Sequence, residues 1–251
     1  MIRIENLHKH FGENYVLRGV NLEIYDGETV TIIGGSGCGK TVLLKHIVGL
    51  LKPDIGKIYV DDVEITSLPE KELNEIQKKF GYLFQSGALF DSLSAGENVA
   101  FGLRNMNLPE EVIKKKVSDC LGHVGLEGIE NVKPADLSGG MKKRVALARA
   151  IARDPKYILY DEPTTGLDPI FADAINDLIL HLQRTLKVTS IVVTHDLKSA
   201  YKVSNRIAML YEGKIIEIGT PEEIKNTKNP YVQQFIQGSS EGPIKLKIKE
   251  F

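Results

Sequence analysis

Three groups of residues have types and spacing that could do chemistry. The first is Gly34-Gly35-Ser36-Gly37-Cys38-Gly39-Lys40-Thr41, set between the apolar run Thr29-Val30-Thr31-Ile32-Ile33 and a helical pattern from Val42 to Leu51. Strand, G-x-x-x-x-G-K-[ST] and helix in this order make a phosphate cradle, the P-loop. Glycines let successive backbone N–H groups turn inward, and the helix adds the positive end of its dipole. Lys40 is then placed to reach terminal phosphates, and Thr41 to offer its hydroxyl to Mg²⁺. The second group is Asp161-Glu162, delivered by the buried-looking run Tyr157-Ile158-Leu159-Tyr160. Adjacent strand positions point to opposite faces, so the two carboxylates can take separate tasks. Asp161 would hold Mg²⁺ and Glu162 would polarise an attacking water. The third group is Gln85 and His195, each ending an apolar run, where the crevice of an α/β sheet opens.

A second anion-binding helix start follows from Leu137-Ser138-Gly139-Gly140-Met141 ahead of Lys142 to Ile151. Ser138 reads as a helix N-cap, and the glycine pair leaves first-turn N–H groups uncovered. One nucleotide does not need two such starts in one subunit. Phe11, in the loop-like stretch from Lys9 to Asn14, could stack on a purine or simply pack. Cys38 beside a helix N-terminus is expected to favour its thiolate, so that ATP should protect it from alkylation.

The elements that must position these groups follow from pattern. Residues 2–7, 16–24 and 56–65 alternate apolar and polar positions, which predicts a small antiparallel sheet beside the P-loop. A charged helix follows Pro69, then the strand ending at Gln85. From about 88 to 154 the pattern is helical, with Ile113, Val117, Cys120, Leu121 and Val124 on one face and Lys114, Lys115 and Lys116 on a solvated one. An amphipathic helix runs from Asp168-Pro169 to about Leu186. A hairpin turns at Glu212-Gly213, and Thr220-Pro221-Glu222-Glu223 is a capping box. Gly238 to Pro243 reads as a linker, and Ile244–Phe251 as an alternating strand that adds to a neighbouring subunit.

Composition narrows the function. With 32 Lys plus Arg against 33 Asp plus Glu, the chain lacks the positive field of a protein that grips nucleic acid, so no nucleic-acid partner is expected. Its 42% hydrophobic and 26% charged residues are ordinary for a globular fold. Cys38 and Cys120 lack metal-ligand spacing, and a disulfide at Cys38 would block the phosphate loop, which implies a reducing cytosol. Neither a membrane span nor a signal peptide is read, so any span would come from another subunit.

The order P-loop, Gln85, Leu137 to Met141, Tyr160-Asp161-Glu162, Asp168 and His195 resembles the nucleotide-binding subunit of ABC transporters over about residues 2–225. The resemblance implies an α/β fold, a RecA-like P-loop NTPase core with an antiparallel β subdomain and an inserted α-helical subdomain. The ATPase domain would be 1–238, with core at 1–87 and 155–238, helical insert at 88–154, and an extension at 239–251. It implies ATP and Mg²⁺ as ligands. Phe11 would stack on adenine, and Gly34, Gly35, Ser36, Gly37, Cys38, Gly39, Lys40, Thr41 and Val42 would hold the phosphates. Thr41, Gln85 and Asp161 would serve Mg²⁺, and Glu162, His195 and Gln85 the hydrolysis. Ser138, Gly139, Gly140, Met141 and Asp168 would contact the ATP of a second copy packed head to tail.

Met141 stands where the family usually has Gln, and Thr-Gly-Leu precedes Asp168 where Ser-Ala-Leu is common. This Met, with Phe84 to Leu93 and Asn229 to Gly238, is similar to MCE-associated, Mla-type lipid-transport ATPases. That finer likeness implies a membrane permease, an MCE lipid-binding subunit, a small STAS-like protein, and a place on the cytoplasmic face of the inner membrane. An import ATPase for a small polar solute, a soluble non-transport ABC ATPase and an inactive regulatory scaffold are the competing readings.

Overall fold

The chain opens with β1 (Ile2–Phe11) and β2 (Asn14–Ile24), an antiparallel pair in which Ile2 faces Ile24 and Phe11 faces Asn14. The loop expected around Phe11 is therefore only Gly12-Glu13, with Gly12 at φ 57°, and Phe11 is the last strand residue. β3 (Thr29–Ile33) leads through the glycine loop into α1 (Lys40–Ile47). β4 (Ile55–Val60) and β5 (Val63–Glu64) share the run read over 56–65, split by Asp61 and Asp62 at φ 50° and 63°. α2 (Glu70–Gln77) and β6 (Phe80–Leu83) follow. Next come α3 (Ala95–Ala100), α4 (Glu110–His123) and α5 (Gly139–Ile151), joined by loops and single 3₁₀ turns. The remainder alternates: β7 (Tyr157–Asp161), α6 (Pro169–Leu186), β8 (Thr189–Thr194), α7 (Leu197–Val203), β9 (Arg206–Tyr211) and β10 (Lys214–Gly219). α8 (Pro221–Lys225) and α9 (Pro230–Gln237) close it. This computed structural model describes residues 1–245, so the strand expected over Ile244–Phe251 falls largely outside the described residues.

Two sheets carry the molecule. The first is antiparallel, in the order β2-β1-β4-β5. The second runs β10-β9-β3-β8-β7-β6, parallel throughout except for the β9–β10 hairpin at its edge. Every residue of β3, β7 and β8 is buried, as strands covered on both faces must be. The pleat divides their side chains between two cores. Tyr157, Leu159, Ile191 and Val193 meet the antiparallel sheet and α1, whereas Ile158, Tyr160 and Val192 meet α5, α6 and the helices of 88–154. Register then brings the carboxyl ends of β3, β6, β7 and β8 to one edge, with Ile33 opposite Thr194, Asp161 opposite Val193 and Leu83 opposite Tyr160.

Thr220 with Glu223 forms the expected capping box, and Ser94 with Glu97 forms another, which the sequence pattern did not single out. Glu212 and Gly213, at φ 45° and 76°, make the tight turn between β9 and β10. On α4, Ile113, Val117, Cys120 and Leu121 are buried and Lys114 and Lys115 exposed, but Lys116 leaves the solvated face to pair with Asp154. Gln234 of α9 bonds both the N–H and the carbonyl of Ile244, at 2.6 and 3.1 Å, and ties that residue to the third core.

Candidate active site

The phosphate loop begins where β3 ends. A Cβ built at Gly34, φ 153°, would collide with the Leu210 carbonyl oxygen of β9, so only glycine lets the loop start against the sheet. Gly37 and Gly39 follow at φ 76° and 107°, and Gly39 caps α1 without any side-chain hydrogen bond. The first-turn N–H groups of α1 are thereby left to a ligand. Lys40, 7% exposed, folds back to donate to the carbonyls of Gly34 and Gly35 at 2.8 and 3.1 Å, and lies 3.8 Å from Glu162 Oε1. A cleft of about 530 Å³ opens over this loop. Phe11, Asn14, Val16, Ser36, Gly37 and Lys40 are among its walls, with Gly39, Thr41, Val42, Gln85 and Glu162 completing them. Phe11 is 46% exposed, and Lys9 Nζ sits 5.4 Å from its ring centroid.

The acids lie opposite the loop. Asp161 closes β7, and its Oδ1 accepts from the Thr41 hydroxyl at 2.8 Å. Glu162 is not a strand residue: it has φ 49°, in the left-handed region that costs a side chain energy. This reverses the expectation that the neighbouring acids face opposite ways, because the backbone turns at Glu162 and both carboxylates reach the P-loop. Glu162 Oε2 accepts from Thr165 and Thr194 hydroxyls at 3.1 and 3.3 Å, and lies 2.9 Å from His195 Nδ1. A carboxylate that only accepts places a proton on the Nδ1 side of the ring in that contact.

The Thr41 hydroxyl and Asp161 carboxylate, within hydrogen-bond distance of one another, are the hard oxygen donors that Mg²⁺ takes when phosphates and water complete its shell. The arrangement therefore fits a magnesium nucleotide. The thiolate expected at Cys38 is not favoured. Burial pushes its thiol up, and the opposing pull of Lys40 and of backbone N–H groups does not restore it.

The helix start at Ser138 lies elsewhere. Ser138 and Gly139 are exposed, Ser138 Oγ accepts from Met141 N at 3.3 Å, and none of Ser138, Gly139, Gly140 or Met141 lines the cleft over the P-loop. Asp168 is also apart from it, capping α6 by accepting from Ile170 N and Phe171 N at 3.0 and 3.2 Å. Gly35 and Cys38 face a second hollow, of about 440 Å³, on the α9 side of the loop.

A family model described as ABC transporter matches residues 17–165. The chain belongs to the ABC transporter family. This ABC ATPase is 42% identical to the intermembrane phospholipid transport system ATP-binding protein MlaF of Haemophilus influenzae, over 98% of this chain and 94% of that one. It is 40% identical to a probable ribonucleotide transport ATP-binding protein of Mycobacterium leprae, over 97% and 70% of the two chains. Among solved structures, a dimeric ATP-binding cassette in a post-hydrolysis state with ADP and Pi superposes with a TM-score of 0.81 at 37% identity, covering 88% of this chain and 99% of that one. The fold is the P-loop NTPase cassette, and the protein is an ATP-binding and ATP-hydrolysing subunit.

Several side chains of the ABC ATPase site had no sequence signal. Thr165 and Thr194 hold Glu162, and the Tyr82 hydroxyl donates to Asp161 Oδ2 at 3.1 Å. Burial, then the charge of Asp161, pushes the Tyr82 phenol far above its ordinary range, so it stays a donor. Only the pairing of Tyr82 beside Leu159 reveals it.

Proposed function

We propose that two copies of this chain close head to tail on two magnesium nucleotides, and that hydrolysis reopens the pair to move a membrane permease carrying lipid. One observation carries the pairing: the P-loop cleft holds Lys40, Gln85 and Glu162 but not Ser138, so each chain offers a cradle and, separately, a helix start with nothing to bind. In the closed pair, Ser138, Gly139, Gly140 and Met141 of one copy face the phosphates on the other, and Asp168 approaches across the interface. Phe11 stacks on the adenine, and the loop Gly34 to Thr41 with Val42 encloses the phosphates. Thr41 and Asp161 would hold Mg²⁺, with Gln85 directly or through water, and the ion would supply charge neutralisation at the phosphates. Glu162 takes a proton from the water whose oxygen attacks the γ-phosphorus, and ADP leaves with the displaced electron pair. His195, held by Glu162, keeps that carboxylate in place and faces the γ-phosphate.

The proposed division is a domain over 1–238, with core at 1–87 and 155–238, the helical part at 88–154 and an extension from 239. Among the described residues no helix is long and apolar enough to cross a membrane. The proposed site of work, supported by the likeness to MlaF, is the cytoplasmic face, through a permease. The likeness to MlaF supports a lipid cargo and, with it, MCE and STAS-like companions. Purifying the E162Q variant with its bound membrane subunits and ATP tests both levels. A twofold-symmetric pair by solution scattering and phospholipid in the organic extract are expected. Single molecules in saturating ATP would remove the pairing, and copurified polar solute without lipid would reassign the cargo.

A further inference from the structure

α5 carries two cations that do not serve their own helix. Lys143 is 7% exposed, and its Nζ donates to the backbone carbonyl of Gln85 and, at 3.4 Å, to that of Glu162. Six positions on, Arg149 donates to the carbonyls of Gly87 and Ala88, both at 2.7 Å. The β6–β7 ladder ends at Leu83 opposite Tyr160, so Gln85 and Glu162 both lie just past the last rung. Both carbonyls lie beyond that ladder. The Glu162 carbonyl also accepts from Thr165 N at 3.3 Å, and the Lys143 ammonium is a donor that it shares with the Gln85 carbonyl. Burial pulls the Lys143 ammonium below its ordinary range, and its hydrogen bonds and the charges of Asp161 and Glu162 oppose that pull.

The two carbonyls are not arbitrary ones. Glu162 occupies a left-handed backbone conformation, φ 49°, which no regular element imposes, and that conformation aims its carboxylate at Lys40 and His195. A hydrogen bond on its carbonyl fixes the peptide plane that follows, which the turn through Thr165 then inherits. The same ammonium fixes the peptide plane of Gln85, and its helix begins at Ser138.

We propose that Lys143 is a positioning residue for hydrolysis: its ammonium clamps the main chain of Gln85 and Glu162 to the helix that starts at Ser138. Glu162 then holds its working geometry only while that helix is seated against it. Seating the helix on a partner's nucleotide and aligning the carboxylate become one event. The inference rests on Glu162 being the carboxylate that activates water.

The test is steady-state ATP hydrolysis and nucleotide binding by the full chain with the membrane subunits that copurify with it. Lys143→Met keeps the buried aliphatic stem and removes the donors. It should lower kcat about 10-fold to 100-fold, the penalty of a misplaced catalytic group, with KM and nucleotide affinity unchanged. Lys143→Arg, which restores charge and donors, should recover most of kcat; a residue that only packs would not be rescued by charge. In a Glu162→Gln background, Lys143→Met should add almost nothing, because the clamp acts through that carboxylate. If Lys143→Met does not fold, Lys143→Ala carries the same measurements. A kcat within twofold of the unsubstituted protein for a folded Met or Ala variant, with Glu162→Gln inactive, overturns the clamp alone. Normal turnover in Glu162→Gln overturns the assignment on which it rests.

Discussion

The starts of α1 and α5 are both glycine-rich helix N-termini, yet they are capped and surrounded differently. At α1 the cap is Gly39, which offers no side chain to the first turn, and the preceding glycines bend the loop into a concave surface faced by Lys40, Asp161 and Glu162. At α5 the cap is Ser138, whose hydroxyl already accepts from Met141 N, and neither Gly139 nor Gly140 has a positive φ. The first has its own cation for an anion, Lys40, and two carboxylates beside it. The second is a side-chain-capped helix end, exposed at Ser138 and Gly139 and apart from that cleft. An anion site is thus made by what surrounds a helix terminus more than by the terminus itself.

The comparison breaks first at Glu162. The E162Q variant should lose about 10²–10⁴ in turnover while still binding ATP, measured by phosphate release and by a fluorescent nucleotide, because a general base is removed and the cradle is not. Next, Lys40→Ala and Ser138→Ala should separate the two helix starts. Loss of the Lys40 charge should weaken nucleotide affinity about 10-fold to 100-fold, a charged hydrogen bond's worth. Ser138→Ala should leave the affinity of dilute monomer unaltered and lower turnover instead, with about 1 kcal/mol of stability lost with the cap. Weakened affinity in the dilute monomer would place both starts on one nucleotide.

A smaller effect is expected at Gly34→Ala, where φ 153° and the Leu210 carbonyl leave no room for a methyl group. A loss of about 1–3 kcal/mol, read in the thermal midpoint, is expected, whereas Gly139→Ala, with open space around it, should cost far less. The mildest test is alkylation of Cys38. Because burial raises its thiol, the thiolate fraction near pH 7 lies below that of an ordinary cysteine, so labelling should be slow and should quicken as pH rises past 9. Labelling as fast as in the unfolded chain at pH 7 would refute that placement.

Pattern and spacing carried much of this. The phosphate cradle, the capping box at Thr220, the turn at Glu212-Gly213 and the all-buried strands β7 and β8 are local events, decided within a few residues by glycine freedom, side-chain caps and period-two or unbroken apolar runs. The family likeness was equally readable, since its motifs are short and keep their order. What chain order could not convey is where those pieces meet. Thr41 and Asp161 are 120 positions apart, Tyr82 and Asp161 are 79 apart, and Lys143 reaches back 58 residues to Gln85. Each contact exists because the strand order β3-β8-β7-β6 sets the strand ends side by side and packs α1 and α5 against them, and a one-residue slip of β6 on β7 would turn Tyr82 away from Asp161. The turn at Glu162 belongs to the same class: residue type disfavours a positive φ there, and only the packed surroundings of Lys143, Thr194 and His195 hold it.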